Sequence, residues 1–229
     1  MKNKNLFLIA VLMMFGFTAM SQTETEGISF GLRGGVNFQN INGKDATGDK
    51  LELDMKTGFN AGVVVEIPVA PEFYFQSGLL YTTKGAKAPE GFLGAGTTGE
   101  YKLSYIELPL NFLYKPLLGT GHLLLGFGPY VAYGLGGKAK FDSPLGSLEQ
   151  DIVFENEYTS ASNDHYGASF KRMDYGANLF FGYELSNGIS LQLNTQFGLA
   201  KINADNTTHP EDDTSFKNTG FGLSVGYMF

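Results

Sequence analysis

Apolar and polar residues alternate in eight separate segments of this chain, and that alternation limits its fold more than any other feature. The segment ISLQLNTQFGLAKIN (189–203) shows it best. Ile189, Leu191, Leu193, Phe197 and Leu199 fall on one side, with Ser190, Gln192, Asn194, Gln196 and Gly198 on the other. A period of two belongs to a β-strand, whose successive side chains point to opposite faces. The same period appears at 28–40, 56–67, 73–87, 101–115, 122–137 and 173–185. It returns in FGLSVGYMF (221–229), where Phe221, Leu223, Val225, Tyr227 and Phe229 share a face.

The polar faces decide what kind of sheet this is. They carry Asn178, Glu184, Glu107, Asn111, Lys115, Gln192, Asn194 and Gln196, too polar a set for a dry core. A soluble eight-stranded barrel puts its apolar face inside. Here the apolar face must point outward, and a bilayer is the solvent that accepts it, provided the sheet closes and leaves no backbone group unpaired. Each segment has at least the 9 to 11 residues or so that a tilted strand needs to cross a bilayer. Tyr81, Tyr114, Tyr133, Tyr175, Tyr183 and Tyr227 lie near segment ends, where aromatic girdles form.

The links alternate in length. Those at 68–72, 116–121 and 186–188 are turns, whereas those at 41–55, 88–100, 138–172 and 204–215 are longer, polar and acidic. The N-terminus supplies an orientation. Lys2 and Lys4 precede an apolar run from Leu6 to about Met20, and Ala19-Met20-Ser21 offers a small-x-small cleavage site. Residues 1–21 are expected to be a cleaved signal peptide and 22–229 the barrel domain. No later segment approaches 18 consecutive apolar residues. An exported chain enters from the periplasm, so the first strand runs outward and the four long loops face outside. The expectation is an all-β, eight-stranded antiparallel up-and-down transmembrane β-barrel in the outer membrane of a Gram-negative bacterium. Both termini are then periplasmic.

Composition excludes some functions. The net charge is -7 with no basic stripe, which argues against nucleic acid as a partner. There is no cysteine, hence no disulfide framework.

Candidate chemistry lies first in the lumen. Arg33, Glu66, Lys84, Glu107, Lys115 and Glu184 fall on inward faces. An eight-stranded barrel is just wide enough for side chains to fill it, so these charges are expected to pair as a structural plug, with Glu66 and Glu184 low beside Lys115. The glycines of that face (Gly31, Gly35, Gly62 and Gly126 among them) leave room for long side chains. GLRGG (31–35) and GLGG (134–137) lack the helix and the Gly-Lys-Ser/Thr tail of a phosphate loop. His122 falls at the periplasmic rim, and His165 and His209 in outer loops, so they cannot converge. His165 with Ser162 or Asp164 is the best triad fragment available. The acidic loop with Asp205, Asn206, Glu211, Asp212 and Asp213 matches no EF-hand spacing, though it could bridge to lipopolysaccharide through divalent ions. No catalytic, cofactor or metal site is expected. The largest external feature, 138–172, is expected to bind a partner or to cover the lumen. Its DIVFENEY (151–158) stretch is expected to extend a hairpin above the membrane.

Five stretches resemble one known family: GLRGGVNF (31–38), YTTKGAK (81–87), YIELPLNFLYK (105–115), GFGPYVAYGLGGK (126–138) and LSVGYMF (223–229). They look like the PorT-like outer-membrane β-barrel proteins of Bacteroidota, over about residues 27–229. The resemblance implies an eight-stranded barrel, and for one founding member an association with type IX secretion. The row Phe221, Leu223, Val225, Tyr227 and Phe229 also resembles the signal read by the barrel assembly machinery. The function expected is non-enzymatic, structural or partner-binding through the extracellular loops, with outer-membrane lipid and lipopolysaccharide as surroundings. The alternatives are a type IX secretion-associated component, or transport of small solutes or ions through the lumen.

Overall fold

The computed structural model describes residues 27–45, 48–90, 94, 96–159, 169–208 and 214–229. The expected signal peptide at 1–21 lies outside the described residues. Eight long strands follow in order: β1 Ser29–Lys44, β2 Asp54–Ala70, β3 Phe73–Ala88, β4 Thr98–Tyr114, β5 Gly121–Ser143, β6 Met173–Glu184, β7 Ile189–Gly198 and β8 Ser215–Met228. Each pairs antiparallel with its neighbours in sequence, and β8 pairs with β1, so the ring closes. Closure leaves no free edge in the ring, which hydrocarbon demands.

The faces are as the alternation dictates. Phe30, Leu32, Phe59, Val63, Phe127, Leu179, Leu193 and Val225 are exposed on the outside. Arg33, Asn37, Gln76, Glu107, Asn111, Asp174 and Gln192 are buried inside. Tyr114, Tyr183 and Tyr227 lie at the end that carries the turns, where Phe73 stacks on Tyr114 at 4.8 Å. Tyr81, Tyr133 and Tyr175 lie at the loop end.

The short turns are chemically specific. Ser186-Asn187-Gly188 closes β6 onto β7 with Gly188 at φ 83°, and Gly188 N–H donates to Leu185 O at 2.9 Å. Pro71-Glu72 closes β2 onto β3 with Glu72 at φ 65°, a conformation that is costly for a residue with a side chain. Glu72 O accepts from Lys115 N–H at 2.7 Å, which holds it there. Pro109 has no N–H to give to the ladder. The β3–β4 pairing accordingly skips from Ser77–Leu110 to Leu80–Glu107, and Ser77 Oγ donates to Pro109 O at 2.9 Å.

Two expectations are corrected at the loop end. The hairpin above the membrane is not made by 151–158. β5 itself runs on to Ser143 and turns back through Gly146–Asp151, while Ile152 turns in and is buried. Short parallel bridges follow: Val153–Phe154 pairs with Ser169–Phe170, and Glu157–Tyr158 with Asp205–Asn206. The seventh strand ends at Gly198, not at 203. The next residues keep a wet side and a dry side, which is why the alternation continues in the sequence. Ala200 and Ile202 are buried under the loops, and Ile202 N–H donates to Phe216 O at 2.8 Å.

Candidate functional site: a filled lumen under a loop lid

From the turn end upward, the lumen is built in layers. The lowest is ionic. Lys115 Nζ lies 3.0 Å from Glu66 Oε2 and 2.9 Å from Glu184 Oε1. Gln76 Nε2 donates to Glu66 Oε1 at 3.0 Å, and Arg33 Nη2 donates to Gln76 Oε1 at 3.0 Å. Arg33 thus reaches its carboxylate through a neutral amide, not directly. His122 stands opposite Glu184 in the β5–β6 register.

Beside it on the inward face Tyr74, Leu113, Leu124 and Phe180 pack together, with the Lys115 ammonium 5.5 Å from the Tyr74 ring and the Arg33 guanidinium 5.6 Å from the Phe180 ring. Gly126 explains how Phe180 fits, because a Cβ there would fall within the Phe180 ring. A cavity of about 50 Å³ follows, with Arg33, Asn37, Asn60, Glu107, Asn111 and Gln196 among its walls. That volume holds a few water molecules.

The upper ionic layer is dry. Lys84 Nζ is 3.0 Å from Glu107 Oε2 and 3.0 Å from Asp174 Oδ2, with none of the three side chains more than 3% exposed. Gln196 Nε2 donates to Glu107 Oε1 at 2.7 Å and Asn218 Nδ2 to Asp174 Oδ2 at 2.9 Å. The Lys84 ammonium also lies 4.1 Å from the centre of the Tyr130 ring. Above it sits an apolar lid of Ile41, Leu51, Leu103, Ile152, Phe170 and Ile202. Three separate outer loops contribute to it, those carrying Leu51, Ile152 with Phe170, and Ile202.

The six lumen charges singled out in the sequence therefore fall into two groups: Arg33, Glu66, Lys115 and Glu184 below, Lys84 and Glu107 above. Asp174, Tyr130 and Gln76 complete the groups and were not singled out. Asp174 shares the polar face of its strand with Asn178, so the alternation could have found it. Its role as the second carboxylate on Lys84 depends on β3 and β6 facing each other across the lumen, which no local pattern encodes.

GLRGG and GLGG are strand segments of β1 and β5. His165, His209, Ser162, Asp164, Glu211, Asp212 and Asp213 lie outside the described residues. Asp205 is bound by Lys171 at 2.6 Å and Lys201 at 2.8 Å, and these two donors hold its carboxyl below the ordinary value. Among the described residues, no group of three or more His, Cys, Asp or Glu is placed to hold a metal ion. Among the described residues no helix is long and apolar enough to cross a membrane.

The closed ring, its apolar exterior and its polar interior define an integral outer-membrane barrel. The chain matches the model of a family described as outer membrane protein beta-barrel domain over residues 20–204, and it belongs to that family. The outer membrane is its location. Among solved structures it is similar to Neisserial surface protein A (12% identity, covering 89% of this chain and 100% of that one, TM-score 0.46). It is also similar to Ail, the attachment invasion locus protein of Yersinia pestis (14% identity, 90% and 100% covered, TM-score 0.42). A third is OprG from Pseudomonas aeruginosa (16% identity, 89% and 97% covered, TM-score 0.38). No curated protein matches the chain.

Proposed function

We propose that this protein is a plugged, non-enzymatic barrel that acts through its extracellular end, with 138–172 as the partner-binding region. The observation that carries this is the filled lumen: two ionic groups, an apolar cluster packed beside the lower one and an apolar lid above. A conducting path would have to break all four. The lumen charges are tied to one another, which supports a structural role for Arg33, Glu66, Lys84, Glu107, Lys115 and Glu184. The hairpin of 138–143 and 146–151 projects from the loop end with Leu145 fully exposed and Leu148 half exposed. Exposed apolar tips on a rigid scaffold are where a partner gains most contact.

The five motif stretches support a finer kinship with the PorT-like barrels. The outward row Phe221, Leu223, Val225, Tyr227 and Phe229 is exposed on β8, as a segment offered to the assembly machinery would be. Lipid and lipopolysaccharide are the surroundings such an exterior fits, and residues 1–21 fit an export signal. The test is conductance of the purified barrel in planar bilayers. The expected result is no steady opening. Steady openings on the order of a nanosiemens would replace this proposal with transport, and a general export defect on gene deletion would replace it with a secretion role.

A further inference from the structure

The lumen is short of hydrogen-bond donors and of positive charge. Among the described residues its cations are Arg33, Lys84 and Lys115 and its carboxylates Glu66, Glu107, Asp174 and Glu184, with Lys56 and its partner Glu100 cancelling each other towards the loop end. One negative charge is left over, and it belongs to the upper layer, where one lysine serves two carboxylates. Unpartnered acceptors point the same way. Asn37 Oδ1, Gln39 Oε1, Asn60 Oδ1 and Asn111 Oδ1 are each buried without a hydrogen bond. All four residues line the same mid-barrel cavity, with Glu107 on its wall. Asn37, Gln39 and Asn111 are no more than 4% exposed. A buried acceptor without a donor is destabilising because it has lost its water and gained nothing in return, so four of them around one cavity call for an occupant that supplies positive charge or donors.

We propose that this cavity is a binding site for one small monovalent cation, of sodium or potassium size. Amide oxygens replace a hydration shell as backbone carbonyls do in potassium filters, and the cavity has room for the waters that complete it. A divalent ion fits less well. Glu107 is the one carboxylate on the wall, and it is already held by an ion pair with Lys84 and a hydrogen bond from Gln196, whereas calcium and magnesium sites draw on more carboxylate charge. Arg33 also borders the cavity, with its Nη2 turned to Gln76. The apolar lid lies between the site and the outer mouth, and the Arg33, Gln76, Glu66 and Lys115 network lies between it and the periplasmic mouth. The ion is therefore a fixed structural counter-charge, bound when the barrel closes.

The full barrel is folded and crystallised in a thallous salt, with anomalous diffraction as the readout. One anomalous peak within coordination reach of at least two of the Asn37, Asn60 and Asn111 amide oxygens is expected. A cavity holding only water overturns the proposal. So does a peak confined to surface carboxylates. Asn60→Val is the informative variant, because the Asn60 side-chain oxygen has no protein partner to lose. It should abolish the peak. The wild-type melting midpoint should rise by about 2–4 °C in sodium or potassium over choline at equal ionic strength, and the variant should show no rise. Equal midpoints for the wild type in all three salts overturn the proposal. Gln39→Leu, which likewise deletes an unpartnered acceptor, serves if Asn60→Val does not fold. Conductance tests the plugged-barrel proposal separately, since a sealed barrel with a dry cavity would fail only here.

Discussion

Two lysines in the lumen each bridge two carboxylates, at different depths. Lys115 sits at the periplasmic rim with its side chain 11% exposed, between Glu66 and Glu184. Lys84 sits in mid-barrel, between Glu107 and Asp174, with no exposure. The rim cluster draws on one neutral donor, Gln76, and on the Tyr74 ring 5.5 Å from its ammonium. The deep cluster adds Gln196, Asn218 and Tyr130 as donors and the Tyr105 and Tyr130 rings as neighbours of its ammonium. Burying a charge is costly unless it is paired and hydrogen-bonded. The deeper the same triad lies, the more neutral partners the barrel must supply. A third group at the surface reverses the ratio: Asp205 lies between Lys171 and Lys201, with its side chain 47% exposed.

This ordering by depth can be broken by experiment. Lys84→Met should have the largest effect, because it leaves Glu107 and Asp174 buried without a cation. A loss of about 3–5 kcal/mol is expected, read as a lower urea midpoint for the barrel in lipid vesicles. Adding Glu107→Gln and Asp174→Asn should recover most of that loss, since the charges then leave together. If Lys84→Met were no worse than Lys115→Met, depth would not be the controlling variable. Lys115→Met should cost about 1–3 kcal/mol in the same assay, because water at the rim reaches Glu184. Removing one surface partner of Asp205, as in Lys201→Met, should change stability by less than about 1 kcal/mol.

The Asp205 group also gives a pH test with a definite sign. Its carboxyl is held below the ordinary 3.8 by donors present only in the folded loops. The stabilisation is therefore complete above about pH 4 and is lost as pH falls through the lower folded value. An NMR titration of Asp205 should give a midpoint under 3.8, moving upward in Lys171→Met. A midpoint at the ordinary value would show that the 157–158 and 205–206 bridge does not hold in solution.

Much of this was legible in the chain. A residue such as Leu193 or Gln192 declares its face by its own polarity, because a strand in a bilayer has one lipid side and one lumen side at every position. The count of eight strands and the long and short links could be read for the same reason. So could the inward faces of Arg33, Glu66, Lys84, Glu107, Lys115 and Glu184. The errors came where the membrane stops imposing that choice. Above Gly198 and beyond Gly137, loop residues can be dry under a lid as well as in lipid, so alternation no longer marks a wall strand.

The closed apolar-out sheet, its direction and the polarity of its interior are written in the order of residues, since each depends on local period and on water or lipid as solvent. Which charges meet is set by closure of the ring. Lys84 and Asp174 are 90 residues apart and touch because β3 and β6 face each other across the closed ring. The tertiary structure also decided that Arg33 reaches Glu66 through Gln76, that Phe180 fills the space Gly126 leaves, and that four amide oxygens share one cavity. These are distances through the barrel rather than along the chain, and no pattern of period two contains them.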